Sequence, residues 1–125
     1  MIEVQNLQKK YENIIAVNDI SFKVDKGRTF GLLGPNGAGK TTTIKLLCGI
    51  IKPDSGTVSL NGKTDPTLID VRRSLGVVPQ TLAIYEELSA EENLRFIGRM
   101  YELDSQMLNK RITECLEIAG LSKRK

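Results

Sequence analysis

The sequence predicts an α/β fold in which a strand feeds a glycine-rich loop and the loop feeds a helix. Three observations predict it. Arg28-Thr29-Phe30-Gly31-Leu32-Leu33 reads as a buried strand. Gly34-Pro35-Asn36-Gly37-Ala38-Gly39-Lys40-Thr41-Thr42 follows at once and fits Gly, four residues, Gly-Lys-Ser/Thr, the phosphate-binding loop or Walker A motif. Beyond it, Ile44, Leu47, Cys48 and Ile51 recur at helical spacing.

The residue types in the loop suit phosphate chemistry. Phosphates need many donors at close range, and backbone N–H groups supply them where no Cβ intervenes. Gly34, Gly37 and Gly39 give that clearance and the backbone freedom of a tight nest. Pro35, Asn36, Ala38 and Thr42 complete the cradle. Lys40 adds a point charge toward the β- and γ-phosphates, and Thr41 offers a hydroxyl to Mg²⁺. A helix starting near Gly39 aims its orphan N–H groups and positive dipole end at the same anion. A plain glycine-rich turn is the competing reading, and the order strand, loop, helix decides against it.

Composition sets the outer bounds. The chain has 125 residues, enough for one core, with the 40% hydrophobic and 26% charged content of a soluble globular domain. A net charge of +3, with acids and bases interspersed, makes no case for nucleic acid. Apolar runs such as Ile14-Ile15-Ala16-Val17 fall far short of the roughly 18 residues of a membrane span. No basic-then-apolar leader opens the chain, so a cytoplasmic protein is expected. Cys48 and Cys115 are expected as small buried hydrophobes in a reducing compartment. With no histidine in the sequence, a histidine general base is excluded.

From the N-terminus, Ile2, Val4 and Leu7 open a short strand with partial alternation. Tyr11 follows in the polar stretch Lys9 to Asn13, either as a surface tyrosine pinning a loop or as a ring offered to a base. Ile14 to Asp19 is strand lead-in, and Ile20, Phe22 and Val24 alternate as a half-buried antiparallel strand. Asp25-Lys26-Gly27 turns the chain back toward the loop strand. The helix after the loop is expected to end near Lys52, with Pro53 as its stop. Thr57 to Leu60 is a strand, and Asn61-Gly62 is a hairpin turn. Asp65 to Arg73 is polar, with one short helical turn after Pro66. Leu75-Gly76-Val77-Val78 reads as a strand buried on both faces.

Gln80, after Pro79, reads by itself as a solvated loop residue. Leu82, Ala83, Ile84, Tyr85 and Leu88 form an aperiodic apolar loop, tucked under itself or free to dock a partner. Ser89-Ala90-Glu91-Glu92 is a capping box. The helix behind it runs to about Leu103, with Ala90, Leu94, Ile97 and Tyr101 on one face. A second helix from about Gln106 to Ala119 carries Leu108, Ile112, Cys115 and Leu116, stopped by Gly120 and Leu121.

The run Gly34 to Thr42, with Tyr11 upstream and Val77-Val78-Pro79-Gln80 downstream, resembles the ATP-binding subunit of an ABC transporter. The resemblance spans the whole chain but only the N-terminal part of that family's pattern. It implies a P-loop NTPase of the ABC ATPase type. A nucleotide-binding core with an antiparallel β-subdomain would cover about residues 1–88, and the start of a helical subdomain about 89–125. It implies ATP and Mg²⁺ as cofactors, with the Tyr11 ring stacked on adenine. Gln80 becomes the Q-loop glutamine that reaches Mg²⁺ and the attacking water. Lys40 and Gln80 then serve catalysis, and Thr41 and Gln80 the metal.

The same resemblance implies two partners: membrane-spanning subunits docked on Gln80 to Leu88, and a second copy of the ATPase. The location becomes peripheral, on the cytoplasmic face of the membrane. The run Tyr85 to Leu94 resembles exporters of drug and lipid type. The other reading is a non-transport ABC ATPase clamping a ribosome or DNA. No Leu-Ser-Gly-Gly-Gln signature and no Walker B run follow the phosphate loop. The expectation is therefore an N-terminal fragment, hydrolytically incompetent alone. In this family, strands from the later half separate the strand before the phosphate loop from the strand before Gln80. Phe30 to Leu33 and Leu75 to Val78 are thus expected to present unpaired apolar edges.

Overall fold

Apolar residues spaced through the first 24 positions build a long antiparallel hairpin, β1 (Ile2–Tyr11) with β2 (Ile14–Val24). The computed structural model describes residues 1–81 and 83–122. Pairing runs from Ile2 opposite Val24 to Tyr11 opposite Ile14, across the two-residue turn Glu12-Asn13. Tyr11 therefore ends a strand instead of standing in a loop, and Ile14 to Asp19 is full strand.

Val4 and Leu7 are both buried although three positions apart, which strict alternation forbids. A register shift between them resolves the conflict. At Asn6 the backbone takes φ 46, its N–H donates to Ser21 Oγ at 2.8 Å and its side-chain amide donates to Asp19 Oδ1 at 2.9 Å. The bulge turns Leu7 back to the core face. The other edge of β1 pairs with β3 (Ser55–Leu60), which hairpins through Asn61-Gly62 into β4 (Lys63–Thr64). The sheet order is β2-β1-β3-β4.

One core joins this sheet to α1 (Lys40–Leu47): Val4, Leu7, Val17, Leu46, Val58, Leu60 and Val71. The helix buries Thr43 and Leu46 and leaves Ile44 exposed, so its inner face is rotated from the expected stripe. It also stops well short of Lys52. Gly49, at φ 67, donates to the Leu46 carbonyl while Ile50 donates to that of Lys45, a Schellman stop. A Cβ at Gly49 would also meet the Pro66 carbonyl. Cys48 is half-buried, and burial pushes its thiol pKa up. The short α2 (Ile69–Arg72) follows Pro66 as expected.

The expected strands at 28–33 and 75–78 do not form. Neither segment joins a ladder among the described residues; Leu33 is 92% and Val78 96% exposed. A run with two apolar faces needs flanking strands to hold it, and none of the described strands flanks either segment. Phe30 gains partial cover by stacking on Phe22, centroids 4.8 Å apart.

The chain divides into two compact units, Met1–Val77 and Val78–Lys125. The second holds α3 (Ala90–Met100) and α4 (Ser105–Ile118). Ser89 Oγ accepts from the Glu92 amide at 3.2 Å, and Glu92 Oε2 accepts from the Ser89 amide at 2.8 Å. These bonds hold the Glu92 carboxyl below its usual range. Their stabilisation is present above the unfolded pKa and is lost as pH falls through the lower folded value. Leu108, Ile112 and Leu116 are buried against Ala90, Leu94 and Leu121. Ile97, Tyr101 and Cys115 are exposed, contrary to expectation. Gly98 is the buried residue of α3, its missing side chain replaced by Leu108. Gly120 stops α4 as expected, donating to Glu117 while Leu121 donates to Leu116. Both cysteines are free.

Candidate functional site: a phosphate loop at an uncapped helix

Gly39 is the residue on which the loop turns into α1. Its φ is 87, and a Cβ there would run into the Ala16 carbonyl of β2. Only glycine meets both conditions. The helix it introduces differs from the other two long helices. Ser89 caps α3 and Asp104 caps α4, but α1 has no capping side chain and no acid in its first turn. Its leading N–H groups, with the positive dipole end, are left for an anion from outside the chain.

Lys40 supplies the charge. Its Nζ folds back over the loop and donates to the Gly34 carbonyl at 2.6 Å and the Pro35 carbonyl at 2.7 Å. The Ala38 amide donates to Pro35 at 3.2 Å, closing the loop on itself. Gly34 to Ala38 and Thr41 are exposed, and Thr42 is partly so. The Thr41 hydroxyl makes no hydrogen bond among the described residues, which leaves it able to meet a cation. Thr43, by contrast, is buried and donates to the Gly39 carbonyl at 2.9 Å, a structural role. An open cavity of about 420 Å³ adjoins the loop between Lys40, Ala38, Leu32 and the β2 residues Ile15 to Val17.

Tyr11 lies in the same unit, 45% exposed, with Lys9 Nζ 5.6 Å from its ring centroid. Lys9 Nζ in turn donates to Asp54 Oδ1 at 2.9 Å, and Asp54 Oδ2 accepts from the Lys10 amide at 2.7 Å. The Lys10 amide first, and Lys9 next, hold the Asp54 carboxyl below its usual range. Gln80 falls in the other unit, exposed. The residues from Gly34 to Thr42 are thus contiguous, a loop and the first turn of α1, while Gln80 belongs to the other unit.

In the second unit Ile84, Tyr85 and Leu88 are exposed, and Leu82 lies outside the described residues. The loop is pinned by Asn93, which sequence reasoning passed over. Asn93 accepts from the Tyr85 amide at 2.8 Å and donates to the Tyr85 and Leu88 carbonyls at 3.0 and 3.1 Å. Tyr85 meets Phe96 edge-on at 5.1 Å. No group of three or more His, Cys, Asp or Glu among the described residues could hold a metal unaided. No described helix is long and apolar enough to cross a membrane.

Residues 17–125 match the profile of the family described as ABC transporter. The chain is 42% identical to the linearmycin resistance ATP-binding protein LnrL of Bacillus subtilis, over 99% of its own length and 40% of that protein's. It is 41% identical to the Nod factor export ATP-binding protein I of Cupriavidus pinatubonensis, over 99% and 38%. It thus spans about two fifths of these relatives. Among solved structures, an ATP-binding subunit of an ABC transporter superposes with a TM-score of 0.83 at 35% identity, covering 98% of this chain and 52% of that one. A dimeric ATP-binding cassette, MJ0796, in a post-hydrolysis state with ADP and Pi, gives 0.77 at 26% identity, covering 96% and 57%. These matches cover the segment that carries the phosphate loop, and the chain belongs to the ABC transporter family.

Proposed function

We propose that the chain binds ATP with Mg²⁺ as the nucleotide-binding part of an ABC ATPase whose whole form drives export across a membrane. The observation that carries this is the uncapped start of α1 with Lys40 beside it. A triphosphate would take the open N–H groups and draw the Lys40 ammonium from its two carbonyls. The donor set fits that ligand: glycine-cleared amides and one fixed cation. Thr41 would offer its hydroxyl to Mg²⁺, which when bound neutralises phosphate charge, and the Q-loop role of Gln80 toward the metal belongs to the same proposal. The residue assignments, Pro35 to Ala38 and Thr42 included, keep their places in the cradle. Membrane subunits would dock on the exposed loop around Ile84 to Leu88, and a second copy would close over the nucleotide. Docked there, the protein would lie on the cytoplasmic face of the membrane. Relatives named for export and for resistance support the exporter reading over a clamp on a ribosome or DNA. The division at about residue 88 into core and helical subdomain belongs to the same proposal.

Calorimetric titration with ATP and with inorganic tripolyphosphate tests the site directly. Tyr11→Ala is expected to weaken ATP by about 1–3 kcal/mol, the range for base–aromatic stacking. Tripolyphosphate, which has no base, should bind as before. Equal losses would assign Tyr11 to supporting the loop. Residues 1–125 alone should show no ATP turnover above background. Gln80 can orient a water but cannot accept its proton, and phosphoryl transfer needs the nucleophile deprotonated and the metal held from both sides. Turnover that vanishes on Lys40→Ala would refute this and require a catalytic carboxylate among Asp54, Asp65 and Asp70.

A further inference from the structure

Asp54 does more than precede β3. Where β3 stops pairing with β1 at Gln8 opposite Ser55, Asp54 carries the ladder one step on. Its amide donates to the Gln8 carbonyl at 3.0 Å, and its carboxylate accepts from the Lys10 amide at 2.7 Å. The side chain thus does the work of a strand carbonyl on the segment that leads to Tyr11. Its second oxygen takes the Lys9 ammonium at 2.9 Å, and that ammonium sits 5.6 Å from the Tyr11 ring centroid. Lys9 and Tyr11 are two apart on β1, and the Lys9 ammonium lies over the Tyr11 ring. The Lys9 side chain is largely covered, so the ammonium is held, not sweeping through solvent.

We propose that Asp54 and Lys9 are positioning residues for Tyr11: the ion pair backs one face of the ring with a fixed cation, leaving the other face to receive a nucleotide base. The inference rests on the base-stacking role proposed for Tyr11. A cation over one face fixes the ring's orientation before the base arrives, which lowers the ordering cost of stacking. Neither residue belongs to the loop Gly34 to Thr42, so their effect is expected to be confined to ligands that carry a base.

The test measures ATP and inorganic tripolyphosphate affinities of the whole protein by calorimetry, for the parent and each variant. Lys9→Met keeps the stem and removes the cation. ATP affinity is expected to fall about 2- to 5-fold while tripolyphosphate affinity stays unchanged. Lys9→Arg restores a cation and should restore ATP affinity, a rescue that a merely structural role does not predict. Asp54→Asn keeps an acceptor for Lys10 but loses the ion pair, and should weaken ATP in the same direction. Combined with Lys9→Met it should add nothing further, because both act through one ring. Tyr11→Leu is the reference. If it lowers ATP affinity alone and Lys9→Met changes neither ligand, the positioning proposal is overturned while the stacking reading stands. If Tyr11→Leu lowers both ligands equally, the stacking reading fails and the proposal falls with it.

Discussion

Lys40→Ala is expected to abolish measurable ATP binding in the whole protein. A hydrogen bond to a charged group contributes about 1.5–3 kcal/mol, and Lys40 has the reach for two oxygens, as its present pair of carbonyls demonstrates. Losing both costs up to roughly 3–6 kcal/mol, offset in part by the two carbonyl bonds that the parent gives up on binding. The substitution leaves the fold standing, because Lys40 lies outside the core of Leu7, Leu46 and Leu60. Calorimetry should therefore find no ATP heat in a protein that still unfolds cooperatively. Affinity within a few-fold of the parent would sink the phosphate-loop assignment.

Gly39→Ala does the opposite, taking the fold down with the site. The residue needs positive φ, and its new Cβ would face the Ala16 carbonyl, a backbone atom that cannot swing aside. Moving it means shifting β2 next to Val17, which lies opposite Lys9 and is buried in the core. Strain of this kind costs about 1–3 kcal/mol before the clash is counted. The expected loss in denaturant unfolding is about 2–4 kcal/mol, large against an ordinary domain's total. ATP binding should be lost in parallel. An alanine variant as stable as the parent would mean that the loop does not press on β2 as described.

What could be read in the sequence was what a few neighbouring residues decide among themselves. The loop from Gly34 to Thr42, the Ser89–Glu92 box, the Asn61-Gly62 turn and the Gly120 stop are local chemistry. Each is found where its residues point. The α1 stop was misplaced because two local signals competed. Ile51 at helical spacing extended the pattern to Pro53, while Gly49 ended it through contacts that also involve the Pro66 carbonyl. The strands at 28–33 and 75–78 failed for a different reason. Their residues have strand composition, but a strand exists only against a partner edge, and no described strand supplies one. Similarly, Asp54 meets Lys9 across 45 positions and Asn93 reaches back to Tyr85, pairings that no motif announces. Within the site, the order of loop and helix from Gly34 to Thr42 was legible, because neighbouring residues decide it. The setting of Tyr11 at a strand end, backed by a lysine, was not.

The two carbonyls that hold Lys40 also set a threshold for what may enter. An ammonium already bonded at 2.6 and 2.7 Å gains little from an incoming acceptor of equal strength. Binding is an exchange of partners, so only the difference between the old acceptors and the new ones appears as affinity. Neutral oxygens, water among them, roughly break even. A singly charged carboxylate offers a modest advantage. A polyphosphate, with several charged oxygens that also meet the helix amides, clears the threshold decisively. Under the proposed nucleotide-binding role, the loop's own backbone would act as a charge filter, favouring polyphosphates over singly charged anions.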